Sequence, residues 1–273
     1  MNYSDTAAYY SLLPLIIIME TIVTLFSYFA ITWKSRKISQ ESLARLHESF
    51  IGIFLVEFWN WITRPLLNFF KLIGITPNGI TILSIFLAFI TGVFYSFGYI
   101  ASGGWLLVFG SSMDMLDGAL ARETGRVTKA GAFLDSCGDR YSDSFYFIGI
   151  GVFFLSKNFS SADGSFTLTA ADFTAVIVIM TILLGAAAMS YVKARGDVAG
   201  ASTKRGLMQR PERVLMLSLI TVLDPFVRVI LAKYGQNPDL VLIAVLILMS
   251  ILINISAIVR MTDLFNKIKG MDS

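Results

Sequence analysis

Residues 111–143 read SSMDMLDGALARETGRVTKAGAFLDSCGDRYSD, a stretch in which Asp114, Asp117, Arg122, Asp135, Asp139, Arg140 and Asp143 stand in or beside apolar helix. A charged side chain within a membrane is costly, so such groups face a protein interior or a water-filled cavity and carry function. Asp114 and Asp117 are three residues apart and Asp135 and Asp139 four, which puts each pair on one face of its helix. The loop Glu123–Ala130 is short enough to make the two helices antiparallel neighbours, with all four carboxylates near the same side of the membrane. Four facing carboxylates repel one another unless protonated or neutralised. A hard divalent cation, Mg²⁺ or Mn²⁺, is the economical counterion, because carboxylate oxygens are its preferred ligands. The group can hold one ion or two, and two would form a clamp suited to a pyrophosphate. Gly118 and Ala121 remove bulk beside Asp117, and Gly131 clears the start of the next helix. Close helix packing explains one small residue, and a structural ion pair with Arg122 explains one acid, but neither explains the combination.

Beyond this stretch the chain is strongly apolar. Of its 273 residues 55% are hydrophobic and 15% charged, against roughly 45–50% and about 25% in soluble chains, which excludes an ordinary water-soluble enzyme. Continuous apolar runs predict membrane helices near 9–32, 78–98, 103–122, 131–155, 170–194, 212–233 and 240–260, since a hydrocarbon layer about 30 Å thick takes roughly 20 residues per helix. Their length and lack of alternation argue against a membrane barrel. The first run contains Pro14 and Glu20, follows a segment without basic residues and lacks a small-residue cleavage site, so it reads as a retained anchor. Phe50–Lys71 differs from its neighbours. Glu57, Asn60, Arg64, Asn68 and Lys71 interrupt a run rich in aromatic residues, Trp59 and Trp61 among them, which predicts an interfacial amphipathic helix kinked near Pro65. The expected organisation is an additional N-terminal transmembrane helix and basic linker over 1–44, an interfacial helix and connection over 45–76, a six-helix membrane domain over 77–262 and a tail over 263–273.

Arginine and lysine collect after the first, third, fifth and last runs, whereas 156–168 and 232–239 carry only Lys157 and Lys233. Because cytoplasmic loops carry the basic excess, the carboxylates and the tail are expected on the cytoplasmic side of a multi-pass protein in a bacterial-type inner, or cytoplasmic, membrane. A net charge of +3 makes no case for a nucleic-acid partner. One cysteine, Cys137, excludes an internal disulfide or a thiolate metal cluster, and one histidine, His47, excludes multi-histidine metal sites.

The pattern Asp114-x-x-Asp117-Gly118-x-x-Ala121-Arg122, eight residues, then Gly131-x-x-x-Asp135-x-x-x-Asp139 resembles the complete signature of the CDP-alcohol phosphatidyltransferase family, with every signature position matched. The resemblance covers approximately residues 50–262. It implies an all-α integral membrane fold, a six-helix bundle behind a juxtamembrane amphipathic helix, commonly a homodimer, to which the first run adds one extra N-terminal transmembrane helix. It also implies transfer of a phosphatidyl-type group from CDP-diacylglycerol or a related CDP-lipid to an alcohol, with release of CMP. In that scheme Asp114, Asp117 and Asp135 coordinate the metal and, through it, the pyrophosphate, while Asp139 adds a ligand and acts as general base on the acceptor hydroxyl. Gly118, Ala121 and Gly131 admit the cytidine part, Pro77 and Asn78 border the nucleotide pocket, and Arg122 and Lys129 help hold the nucleotide phosphates. An arrangement in which Asp139 is solely a ligand and water relays the proton stays open.

A second basic group comprises Lys193, Arg195, Arg205, Arg210 and Arg213, at the end of the fifth run and in or just beyond the following loop. Arginine offers paired donors matched to phosphate oxygens, so these cations suit a phosphorylated alcohol acceptor. The plainer reading, a basic loop touching anionic membrane lipid, suffices for Lys204. Ser190-Tyr191-x-Lys193-Ala194-Arg195, Arg210-Pro211-Glu212-Arg213 and Phe133-Leu134-Asp135-Ser136, with Asp139-Arg140 and Asp143, resemble the phosphatidylinositol-phosphate synthase branch of the family. The branch implies myo-inositol phosphate as acceptor. Glycerol phosphate as acceptor and an archaeal-type lipid donor are the alternatives, the first disfavoured because Ser136, not proline, follows Asp135. A cation transporter and a scaffold held by ion pairs are the non-enzymatic readings, and neither predicts CMP formation.

Overall fold

A backbone crossing hydrocarbon has no water to bond to and must satisfy its own N–H and C=O groups, which the long apolar runs do as helices. The computed structural model describes residues 20–21, 23–32, 50–157, 168–203 and 208–271, and among them there is no strand. The helices are α1 Val23–Thr32, α2 Phe50–Leu72, α3 Pro77–Ser96, α4 Ile100–Glu123, α5 Lys129–Ser156, α6 Ala170–Val198, α7 Arg210–Lys233 and α8 Leu240–Lys269. Six of them, α3 to α8, correspond to the six runs expected for the membrane domain, and α2 covers the stretch expected as an interfacial helix, helical through Pro65. Of the expected first span, residues 9–32, only 20–21 and α1 lie within the described residues, and His47 and Arg205 lie outside them.

By length and composition α3, α6, α7 and α8 can each cross a membrane. Helices α4 and α5 are as long, at 24 and 28 residues, and it is their acids that make them less apolar. Helices α6 and α8 run further than the apolar pattern, to Val198 and Lys269, because their last turns are polar yet still helical. Lys267 and Lys269 there meet the negative end of the α8 dipole.

The chain divides into two compact units, one of residues up to Ile80 with Met115–Thr128, the other of Thr81–Asp114 with Lys129 onward. In the smaller unit Glu57, Asn60, Arg64, Asn68 and Lys71 recur every three or four residues and so form one polar stripe along α2. Phe26 and Phe29 of α1 pack edge-on against Phe58 of α2, with ring centroids 5.2 and 5.4 Å apart. Lys71 at the end of α2 pairs with Glu123 at the end of α4. Gly125 follows with φ +66°, a left-handed turn that a side chain would strain.

In the larger unit α6 packs along α8 and against α5, around the fully buried side chains of Ile150, Phe154, Ile182, Leu246, Met249 and Ile253. Without a hydrophobic force between helices in lipid, close backbone approach supplies the packing. Gly149 of α5 faces the backbone of Gly92 on α3 so closely that a Cβ there would overlap it. A Cβ on Gly185 of α6 would come within 2.6 Å of Ile253 Cγ2 on α8. At the end of the bundle away from the signature acids, Lys157 pairs with Asp172 and Asp239 at 2.5 Å each. Arg228 there pairs with Asp224 and Asp239 at 2.6 Å each. These pairs tie together the ends of α5, α6, α7 and α8.

Gly149→Ala is therefore expected to cost about 1–3 kcal/mol as an overpacked core position, because the opposing atoms are backbone and cannot swing aside. Gly151→Ala, whose Cβ would meet Ile179 at an ordinary 3.8 Å, is expected to leave stability near wild type. Thermal unfolding of the two variants in the same detergent micelles makes the comparison.

Candidate metal and phosphate site

Asp114 on α4 and Asp135 and Asp139 on α5 each offer a carboxylate oxygen, and the three oxygens lie within 4.8 Å of one another. Asp135 and Asp139 are one turn apart, and Asp143 continues the same face one turn further. Opposite them, Pro211 occupies the first turn of α7, a position where its missing N–H costs nothing. The helix thus begins at Arg210, and Arg210 and Arg213 sit in its first turn on one face. Basic residues at a helix N-terminus run against the macrodipole, which favours acids there. Here the opposing carboxylates offset the conflict.

Arg210 Nη1 lies 2.5 Å from Asp114 Oδ2 and 2.6 Å from Asp139 Oδ1, and its Nε lies 3.6 Å from Asp143 Oδ1. Arg213 Nη2 lies 2.6 Å from Asp143 Oδ2, and both side chains of that pair are buried. Four carboxylates thus face two guanidinium groups, leaving a formal excess of two negative charges. Arg140, 3.9 Å from Asp139 and 41% exposed, is too far and too solvated to offset it. Three convergent carboxylates are the donor set that Mg²⁺ or Mn²⁺ takes. Asp139 Oδ1 is buried without a hydrogen bond and lies in the ion pair to Arg210. The residues present fit the cation.

A cavity of about 420 Å³ adjoins the carboxylates, with Asp135 and Asp139 on one wall and Lys193, Arg210, Arg213 and Arg260 on the others. Arg260 comes from α8, is buried, and its Nη1 lies 3.5 Å from the Met189 carbonyl oxygen. The pattern of basic residues did not single it out, since it ends an apolar run and counts as one more cytoplasmic charge. Its signal was an arginine on the buried face of an otherwise apolar helix. Asp143, which spans Arg210 and Arg213, was likewise legible only as part of a motif.

Other expected site residues fall as follows. Asp117, three residues beyond Asp114 on α4, is buried, and its Oδ1 accepts from the Gly118 N–H at 2.5 Å. A Cβ on Gly118 would come within 3.2 Å of Arg122 Nη1, so the bare glycine leaves the guanidinium its place. Ala121 and Gly131 are half-buried, Arg122 and Lys129 exposed, and Pro77 and Asn78 open α3 half-buried and exposed. Lys193, Arg210 and Arg213 line the cavity, whereas Arg195, exposed like Lys193, is not among its lining residues. Two residues along a helix turn the side chain by about 200°, which separates Arg195 from Lys193.

A family model described as CDP-alcohol phosphatidyltransferase matches residues 74–265. The chain is 32% identical over 158 residues to a phosphatidylinositol phosphate synthase of Mycobacterium marinum, covering 57% of this chain and 62% of that protein. It is 31% identical over 153 residues to an archaetidylinositol phosphate synthase of Pyrococcus horikoshii, covering 56% and 72%. Among solved structures it resembles the Mycobacterium tuberculosis phosphatidylinositol phosphate synthase in complex with manganese and citrate, with TM-score 0.62, 26% identity and coverage of 74% and 88%. The same enzyme with CDP-DAG bound gives TM-score 0.61, 27% identity and coverage of 75% and 94%.

Asp143→Ala leaves the buried Arg213 guanidinium without its carboxylate, and is expected to lower unfolding stability by about 3–5 kcal/mol. Replacing the pair together, as Asp143→Leu with Arg213→Met, is expected to recover most of that loss. Chemical unfolding of the two variants in micelles tests the pairing.

Proposed function

This chain belongs to the CDP-alcohol phosphatidyltransferase family, and on that basis we propose that it transfers a phosphatidyl group from CDP-diacylglycerol to myo-inositol phosphate, forming phosphatidylinositol phosphate and releasing CMP. The observation that carries this reading is the junction of a three-carboxylate cluster with a cavity walled by Lys193, Arg210, Arg213 and Arg260. One half suits a pyrophosphate with its cation; the other suits a phosphorylated alcohol. Relatives named for inositol phosphate transfer support the acceptor, and a relative holding CDP-DAG supports the donor.

Asp114, Asp135 and Asp139 would hold the divalent cation, which when bound neutralises the pyrophosphate and the charge that develops on departing CMP. Asp139 takes the proton of the acceptor hydroxyl as that oxygen bonds to the phosphatidyl phosphorus. The bond between this phosphorus and the CMP oxygen breaks, and CMP leaves with the electron pair. Arg213, Arg260 and Lys193 hold the acceptor's own phosphate, with the arginine forks fixing its orientation. The low-dielectric wall strengthens these contacts. Gly118, Ala121 and Arg122 are assigned to the nucleotide, with Pro77, Asn78, Lys129 and Gly131 bordering it. The protein is a multi-pass membrane enzyme; we assign its site to the cytoplasmic face, where the basic loops belong, and a homodimer as its assembly.

CMP release by the purified protein in lipid micelles with CDP-diacylglycerol and Mg²⁺ is expected with myo-inositol phosphate and to stop when EDTA removes the metal. Asp135→Ala is expected to lower turnover by about 10²-fold or more with the fold retained. A preference for glycerol phosphate would reassign the acceptor, and turnover only with an archaeal-type CDP-lipid would reassign the donor. Folded protein that releases no CMP with any of these under Mg²⁺ or Mn²⁺ would remove the enzymatic reading.

A further inference from the structure

Arg210 belongs to two sites at once. Its Nη1 is committed to Asp114 Oδ2 at 2.5 Å and Asp139 Oδ1 at 2.6 Å, two of the three carboxylates grouped for a cation. The same residue lines the cavity with Lys193, Arg213 and Arg260. Its Nε is buried without a hydrogen bond and lies 3.6 Å from Asp143 Oδ1, so that edge of the fork makes an ion pair but no hydrogen bond. Arg213 is placed otherwise, buried and fixed to Asp143 at 2.6 Å. A guanidinium is planar and rigid, and its donors point one way at a time. A divalent cation on Asp114 and Asp139 would take the oxygens that now face Arg210 and would repel it. An anion in the cavity attracts the same fork.

We propose that Arg210 competes with the divalent cation for Asp114 and Asp139 and exchanges these carboxylates for the phosphate of the acceptor, so that cation and acceptor strengthen each other's binding. This rests on the reading of Asp114, Asp135 and Asp139 as the cation site and of the cavity as the acceptor site. Linkage makes the effect reciprocal: whatever factor the acceptor gains from the cation, the cation gains from the acceptor. The carboxylates then hold the cation hardest when an acceptor is in place, which ties activation of the CDP-lipid to the presence of the group that will receive it.

Mn²⁺ titration of the full-length protein in micelles, read by electron paramagnetic resonance without any CDP-lipid, separates this from turnover. Saturating myo-inositol phosphate, or glycerol phosphate in its place, is expected to tighten Mn²⁺ binding by about fivefold or more, the lower range of typical couplings. Arg210→Gln is expected to bind Mn²⁺ about fivefold or more tightly than wild type without acceptor, and to lose the response to acceptor. Arg260→Gln removes a cation from the same cavity and serves as the charge control. Its Mn²⁺ affinity without acceptor is expected to change less than that of Arg210→Gln, since its guanidinium lies near the Met189 carbonyl whereas Arg210 Nη1 lies 2.5 and 2.6 Å from two of the carboxylates. An Arg210→Gln protein that binds Mn²⁺ no more tightly, or equal tightening in both single variants, overturns the competition. Wild-type affinity indifferent to both acceptors overturns it without recourse to any variant. A wild-type protein that binds no Mn²⁺ removes the cation site itself, and this inference with it.

Discussion

Carboxylates gathered at one end of two membrane helices must be neutralised, and the arrangement of the larger unit follows from that need. At the 4.8 Å limit that separates the oxygens of Asp114, Asp135 and Asp139, two unit charges repel by about 3–4 kcal/mol in an effective dielectric of about 20. No surface ion pair, at about 0–1 kcal/mol, offsets several such repulsions. Buried counter-charges can, and α7 supplies two in its first turn through Arg210 and Arg213. They leave three convergent carboxylates whose donor set suits a divalent cation.

The two ends of the bundle show the difference between charge that closes and charge that receives. Away from the signature acids, Lys157 and Arg228 are matched to Asp172, Asp224 and Asp239 at 2.5–2.6 Å, and Lys157 also lies over the Phe154 ring at 4.7 Å. That end is a fastening across four helices, and its worth depends on every partner being present. At the signature end the pairing is incomplete and adjoins a cavity of about 420 Å³. The close backbone contacts at Gly92 and Gly149, and the tight fit of Gly185 against the Ile253 side chain, pack the helices closely between the two ends. Rigid helices hold the carboxylates at a fixed spacing, which a site for a cation and phosphates requires.

Local periodicity made much of this legible before any packing was known. Apolar runs of about 20 residues determined the helices, and the four-residue spacing of Asp135 and Asp139 put both on one face of theirs. The order of small residues and acids was specific enough to identify the family. All of these are properties of residues within one or two turns of each other, where helix geometry leaves little freedom.

The tertiary structure decided which charges meet. Arg210 finds Asp114 across 96 positions of sequence, and Arg213 finds Asp143 across 70. Arg260 reaches the cavity wall from α8, while Arg195, two positions past Lys193 in the same motif, does not line it. No pattern along the chain specifies these outcomes, because they depend on the rotation and depth of one helix against another. Those are set by where glycines let backbones touch and by where apolar side chains fill the space between. From sequence alone the acids and the arginines are two lists; packing makes them one site and places Arg210 in both halves of it.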